Sequence, residues 1–203
     1  MNKHVLIPIF LLLAFAGCRS SKVTTQHYLL ETPADYEFRW QGESGPLSAS
    51  CEILKPEIVP AYSSHSIALR EDSHQLSYFR FNEWAVRPEL VIQKMVDDFM
   101  KENQVFEELV PGRAVMSAAY LLETEINHLE VDNREDVFRA RMHVEFRLRD
   151  NETSEVLVTH REDRIETLEG RNLNAFAEAV SRMFIEELAT FTESFTTELN
   201  GTQ

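Results

Sequence analysis

Between Val137 and Arg149 the chain alternates without a break. Phe138, Ala140, Met142, Val144, Phe146 and Leu148 are apolar, and Arg139, Arg141, His143, Glu145, Arg147 and Arg149 between them are polar. Successive side chains of a strand point to opposite faces, so this spacing predicts a sheet packed on one side and wet on the other. Ala119 to Val131 before it and Glu155 to Thr167 after it read as two more long strands, with Asp150 to Ser154 as a turn. A second period begins at Asn172. Leu173, Phe176, Val180, Phe184, Leu188, Phe191 and Phe195 recur at steps of three and four, which is one face of a helix. Asn172 is a good N-cap, and the polar tail beyond Phe195, above all residues 199–203, is expected to fray.

The first half carries shorter patterns. His27–Leu30 reads as a strand, Glu31 to Ser48 as a loop, and Ala49 to Leu54 as a strand stopped by Pro56 and Pro60. Ser66–Arg70 and Gln75–Phe81 flank a polar turn and read as a hairpin. Pro88 then opens a helix to about Glu102, with Val91, Ile92, Met95, Val96 and Phe99 on its buried face. Phe106 to Val110 reads as a short strand ended by Pro111 and Gly112. The sum is an α+β layer: one largely antiparallel sheet with two helices packed on one face.

The first residues follow another logic. Lys3 precedes an almost unbroken apolar run from Val5 to Ala16, which ends Ala16-Gly17-Cys18. The run is shorter than the ~20 residues of a spanning helix and fits a signal peptide of residues 1–17. Small residues before the cut and a cysteine after it are what lipoprotein processing needs, so Cys18 is the expected lipid-attachment site. Residues 18–26 carry the lipidated cysteine and a short tether, Arg19 to Gln26, reaching at most ~25 Å if extended, and residues 27–198 form a single domain. Arg19 stands where Asp would retain a lipoprotein in the inner membrane under the common sorting rule. The expected place is therefore the inner leaflet of the outer membrane, with the domain in the periplasm.

The formal charge of the 203-residue chain is −14. Such a balance excludes nucleic acid and anionic lipid headgroups as partners through bulk charge. With Cys18 acylated, Cys51 is the one remaining thiol, so no internal disulfide can form. Its apolar neighbours Ile53 and Leu54 suit a buried, inert side chain.

No constellation for catalysis stands out. The chain has only 6 glycines, with no phosphate-binding loop and no Gly-x-Ser-x-Gly turn. His128, His143 and His160 fall on three successive predicted strands and form the one grouping that could hold zinc. Solvent-facing strand histidines are the plainer reading. Arg139, Arg141, Arg147 and Arg149 share one strand face. They form either a patch for an acidic partner or cross-strand pairs with Glu123, Glu125, Glu162 or Glu166. Trp84, between hairpin and helix, is either a core anchor or a partner contact.

The order of these elements resembles the ABC-type transport auxiliary lipoproteins, the PqiC-like group, over most of the mature chain. The resemblance is carried by His27-Tyr28-Leu29-Leu30 soon after Cys18, by Pro60-Ala61-Tyr62 with Ile67 to Arg70, by Tyr78, Trp84 and Pro88, and by Leu148-Arg149-Asp150. His27 departs from the aromatic residue usual there, as do Ser63-Ser64 from the usual residues after the tyrosine. The resemblance implies a non-enzymatic accessory subunit, without cofactor, that works with an ABC transporter and an MCE-domain protein moving lipids between the two membranes. Tyr28, Tyr62 and Trp84, with Arg139, Arg141 and Arg147 of the arginine strand, are the candidate docking residues. A homo-oligomer is left open. The competing reading is a structural or assembly lipoprotein of the envelope that binds an outer-membrane protein or peptidoglycan.

Overall fold

The computed structural model describes residues 24–34, 36, 46–112 and 117–201. The signal segment, Cys18 and the tether up to residue 23 lie outside the described residues. Among the described residues nine strands are formed: β1 (Gln26–Tyr28), β2 (Leu47–Ile53), β3 (Glu57–Ile58), β4 (Ser66–Arg70), β5 (Leu76–Trp84), β6 (Phe106–Val110), β7 (Tyr120–Asp132), β8 (Arg139–Asp150) and β9 (Val156–Thr167). Helix α1 spans Pro88–Glu102 and helix α2 spans Leu173–Gly201.

Strand β7 is the axis of the sheet. One of its edges pairs antiparallel with β8, from Tyr120 opposite Asp150 to Asp132 opposite Arg139, and β9 continues antiparallel beyond. Along its other edge β2, β3 and β4 follow one another, all parallel to it. Cys51–Ile53 lie opposite Tyr120–Leu122, Glu57–Ile58 opposite Glu125–Ile126, and Ala68–Arg70 opposite Glu130–Asp132. Proline has no N–H for a ladder, so Pro56 and Pro60 set the breaks between these three. Strand β5 closes a hairpin with β4, while β1 and β6 add parallel edges to β5 and β2. The fold is α+β as expected, but its sheet is mixed. The long strands are antiparallel, and every short strand that joins β7 is parallel. The alternation that identifies a strand says which way its side chains face, not which neighbour it takes.

A single bulge sets which side chains of β7 face inward. The β7–β8 register shifts between Ile126 and His128. Before the shift Leu122, Thr124 and Ile126 are buried, and after it Leu129 and Val131 are. One extra residue moves the inward set from even to odd positions.

Both helices cover the same face. Ile92 and Met95 of α1 meet Ile126 and Leu129 of β7, Met142 of β8, and Val180 and Phe184 of α2 around one small apolar cavity. Helix α2 lays its stripe on β8: the Phe146 ring lies 5.5 Å from Phe184 and 5.3 Å from Phe191. Asn172 Oδ1 accepts from the Asn174 N–H at 2.9 Å, the expected cap. The helix does not stop near Phe195. Thr192, Thr196 and Thr197 donate their hydroxyls to the carbonyls four residues back, at 2.7–2.8 Å, which satisfies polar side chains inside a helical stretch. Pro88 holds the first turn of α1, with Glu89 3.2 Å from Arg87. Cys51 is fully buried, and that burial pushes its thiol up to about 12.

Phe146 is at the centre of the aromatic contacts and wholly buried. Phe146→Ala is expected to lower folding stability by about 3–5 kcal/mol, read as a lower urea midpoint with a single cooperative transition.

Candidate functional site

The face of the sheet turned away from the helices carries the arginine strand, and its arginines are committed to carboxylates. Arg149 donates through Nε to Glu123 Oε1 at 2.9 Å. Arg147 donates to Glu125 Oε2 at 2.9 Å and lies 3.3 Å from Glu145 Oε1. Glu145 also accepts from Arg161 Nε of β9 at 2.7 Å. Arg139 reaches Glu135 at 3.6 Å. Glu145 and Arg161 lie directly opposite in register, and Arg149–Glu123 and Arg147–Glu125 are diagonal neighbours, still within reach of long side chains. Glu123 and Glu125 are the partners expected from sequence. Glu166 instead turns to the helix side, where it accepts from Arg182 Nη2 at 2.5 Å.

The densest part of this face is built on Glu130 of β7, which is 0% exposed. Arg70, at the end of β4, donates to it through Nε at 2.7 Å and Nη2 at 2.9 Å. The Tyr62 hydroxyl donates to Glu130 Oε2 at 2.6 Å and accepts from Arg70 Nη2 at 3.0 Å. Arg141 of β8 adds a bond at 3.4 Å. Arg141 spends its best geometry on Asp163 of β9, with Nε at 3.0 Å and Nη2 at 2.7 Å. These two bonds from Arg141 hold the Asp163 carboxyl below its ordinary value. Burial, followed by the bond to Glu130, pushes the Tyr62 hydroxyl up to about 12. Next to this group Asp132 is equally enclosed. Burial alone would raise its carboxyl, but the bonds from Arg134 at 2.6–3.2 Å outweigh it and hold it low. Buried carboxylates paired in this way are costly to strip of one partner.

The six candidate docking residues are not equivalent. Trp84 is 1% exposed and packs on Phe176 at 5.7 Å, so it is a core anchor and offers no surface. Tyr62 is buried in the Glu130 group, and Arg141 is held there and by Asp163. Tyr28, Arg139 and Arg147 keep partial exposure. The Tyr28 hydroxyl donates to Gln26 Oε1 at 2.8 Å. The three-histidine grouping is not formed. His128 and His143 stack at 5.7 Å on the charged face, while His160 faces α2 and donates through Nε2 to Glu187 at 2.8 Å. Register explains this, because His160 lies opposite Phe146, a core position. Among the described residues no three His, Cys, Asp or Glu side chains are grouped to hold a metal ion.

Sequence reasoning did not find Glu130, Arg70 or Asp163. One signal was present: the apolar positions of β7 change parity between Ile126 and Leu129, which marks a bulge and puts Glu130 on the charged face.

Glu130→Gln keeps the shape but leaves Arg70 without its anion, and is expected to cost about 3–5 kcal/mol. Tyr62→Phe removes one hydrogen bond to a charged group, about 1.5–3 kcal/mol. Urea unfolding of both variants measures the order, and equal costs would show that the charge pair is not what holds the group together.

Among the curated proteins none matches the chain. Among solved structures, the fold is similar to that of protein XCC0632 from Xanthomonas campestris. The TM-score is 0.73 at 12% identity, over 88% of this chain and 100% of that one. It is also similar to an uncharacterized protein, with a TM-score of 0.63 at 9% identity, over 85% and 99% of the two chains. At such identities the likeness shows the fold alone. The family of ABC-type transport auxiliary lipoprotein components matches residues 28–190, from β1 through most of α2. That span holds the Glu130 group, the arginine strand, α1 and most of α2, and the chain belongs to this family.

Proposed function

We propose that the protein is a non-enzymatic accessory subunit of an ABC transporter and MCE-domain system that moves lipids or other hydrophobic compounds between the inner and outer membranes. The family match over residues 28–190 carries this reading. In it, residues 1–17 are removed and acyl chains on Cys18 hold the protein on the inner leaflet of the outer membrane, with residues 27–198 in the periplasm. Each buried CH₂ of an acyl chain contributes about 0.8 kcal/mol, and more than one chain makes an anchor stable. Among the described residues no helix is long and apolar enough to cross a membrane, so in this reading attachment rests on the lipid.

The docking surface in this reading is the charged face. In it Arg139 and Arg147 touch the partner on this face, and Tyr28, which lies opposite Trp84 in register and against the core, touches it at the edge of the sheet. Tyr62 and Arg141 act through the strands they hold in place, and Trp84 acts through the core. A partner that meets this face encounters fixed, alternating charge of both signs. Such a surface selects partners by complementarity more than by net attraction.

Two measurements check the assignment. Metabolic labelling with palmitate is expected to mark the wild type and to be lost in Cys18→Ala, with release from the membrane fraction. Affinity capture of the detergent-extracted, lipidated protein is expected to recover an MCE-domain protein or its ABC transporter. Recovery of an outer-membrane barrel protein or peptidoglycan in their place would assign the protein to envelope structure or assembly.

A further inference from the structure

The charged face contains a group that the transport role does not require. His128 of β7 and His143 of β8 are register partners, and their rings stack at 5.7 Å with only 9° between planes. Tyr62 packs on His128 at 5.9 Å. His128 Nδ1 and His143 Nε2 are buried, and neither has a hydrogen-bond partner among the described residues. Buried polar nitrogens are ordinarily paired, so this pair is out of the common pattern.

The surrounding charges are already spent. Arg70 from β4 and Glu130 from β7 hold each other, and Arg141 from β8 holds Asp163 from β9 and reaches Glu130. Asp132 and Arg134 form a further closed pair beside them. Of the charges that act on His128, Arg141 opposes a proton there, while Glu130 and Asp163 favour one but are each already bonded to an arginine. Burial first, and the Arg141 charge second, hold the His128 ring below its ordinary value of 6.5.

Tyr62 belongs to the Val59–His65 link between β3 and β4, which has little regular structure of its own. It is held by Val59 N–H to the Ile126 carbonyl at 3.1 Å, by the Tyr78 hydroxyl to the Ala61 carbonyl at 3.2 Å, by His65 Nδ1 to the Trp84 carbonyl at 2.8 Å, and by the Tyr62 hydroxyl to Glu130. The link closes over the stack and over the Arg70–Glu130 pair.

We propose that the His128–His143 stack is an acid-sensitive latch for this link. When a proton adds to a buried ring nitrogen of the stack it finds no acceptor there, and the new cation lies against Arg141 and a second imidazole. The strain is relieved when Tyr62 leaves Glu130 and the link opens, which lets water reach the rings and uncovers the Arg70–Glu130 pair. The closed state, in which burial and Arg141 keep a proton off His128, binds fewer protons than the open one. Its advantage is therefore full above the ordinary imidazole value and is lost as pH falls through it. Asp163 and Asp132 are held below the ordinary carboxylate value by Arg141 and Arg134. The exposed Arg70–Glu130 pair would then be a patch that the protein presents only in acid surroundings.

Amide hydrogen exchange on the intact protein tests this, with rates corrected for the intrinsic effect of pH. Between pH 7.5 and 5.5 the opening of residues 60–65 is expected to rise by up to about tenfold per pH unit, while amides in α2 keep their protection. In His128→Gln/His143→Gln, which retains His65, the rise is expected to vanish. A flat profile in the wild type overturns the latch. So does an equal rise in the double variant, which would place the effect at His65, and so does simultaneous loss in α2, which would be general unfolding. Should the double variant fail to fold, ring titration of the wild type by NMR decides: His128 must gain its proton at the pH at which the link opens, and a ring still neutral after opening refutes the latch.

Discussion

Everything in this sheet hangs on the two edges of β7. A strand can pair on each side, and here both sides are used, but by different means. One side takes a single long antiparallel neighbour. The other takes three short parallel ones, separated by prolines that cannot donate to a ladder. Strand β5 of the hairpin and the outer strands β1 and β6 join the sheet through β4 and β2. The bulge after Ile126 then decides which β7 side chains enter the core and which stand among the charges.

That division gives the two faces different physics. Under the helices, rings and aliphatic chains pack against one another, and burial of apolar area supplies the stabilisation. On the opposite face carboxylates sit at the level of the backbone with guanidinium groups laid across them. Glu130, Asp132 and Glu145 are nearly or wholly enclosed, yet each has an arginine within hydrogen-bond distance. A row of arginines in an acidic chain therefore makes no free basic patch. The pairs are set by strand register, so they report correct assembly of β4, β7, β8 and β9 more than they add net stability.

Much of the architecture was legible because its periods are clean. The alternation of β8 and the stripe of α2 give face, element and extent with little ambiguity, and Pro88 and Asn172 mark helix starts by chemistry that is local. Pairing is not local. Nothing in Cys51–Ile53 or Ala68–Arg70 states that both lie beside β7, or in which direction. Strand β3, two residues between two prolines, is too short to have a period. The Glu130 group draws on β4, β7, β8 and the link before β4, so it exists only in three dimensions. His160 shows the same limit from the other side: its neighbours in sequence are polar, and only its register opposite Phe146 turns it toward the helix. The long reach of α2 past Phe195 was hidden because its threonines look like a tail until their hydroxyls are seen bonded to the helix backbone.

The parallel edge of β7 also fixes an order of events. Strands β2, β3 and β4 are made before β7, and the ladder that holds them is made of residues at least 60 positions further along. A chain that emerges from its N-terminus first must carry those segments, with Cys51 and Ile67 uncovered, until Tyr120–Asp132 arrives. Pairings so far apart in sequence are slow to form, and apolar segments left waiting invite association with other chains. The same prolines that kink this edge also interrupt it as a template for foreign strands, so the device that shapes the finished sheet protects the unfinished one.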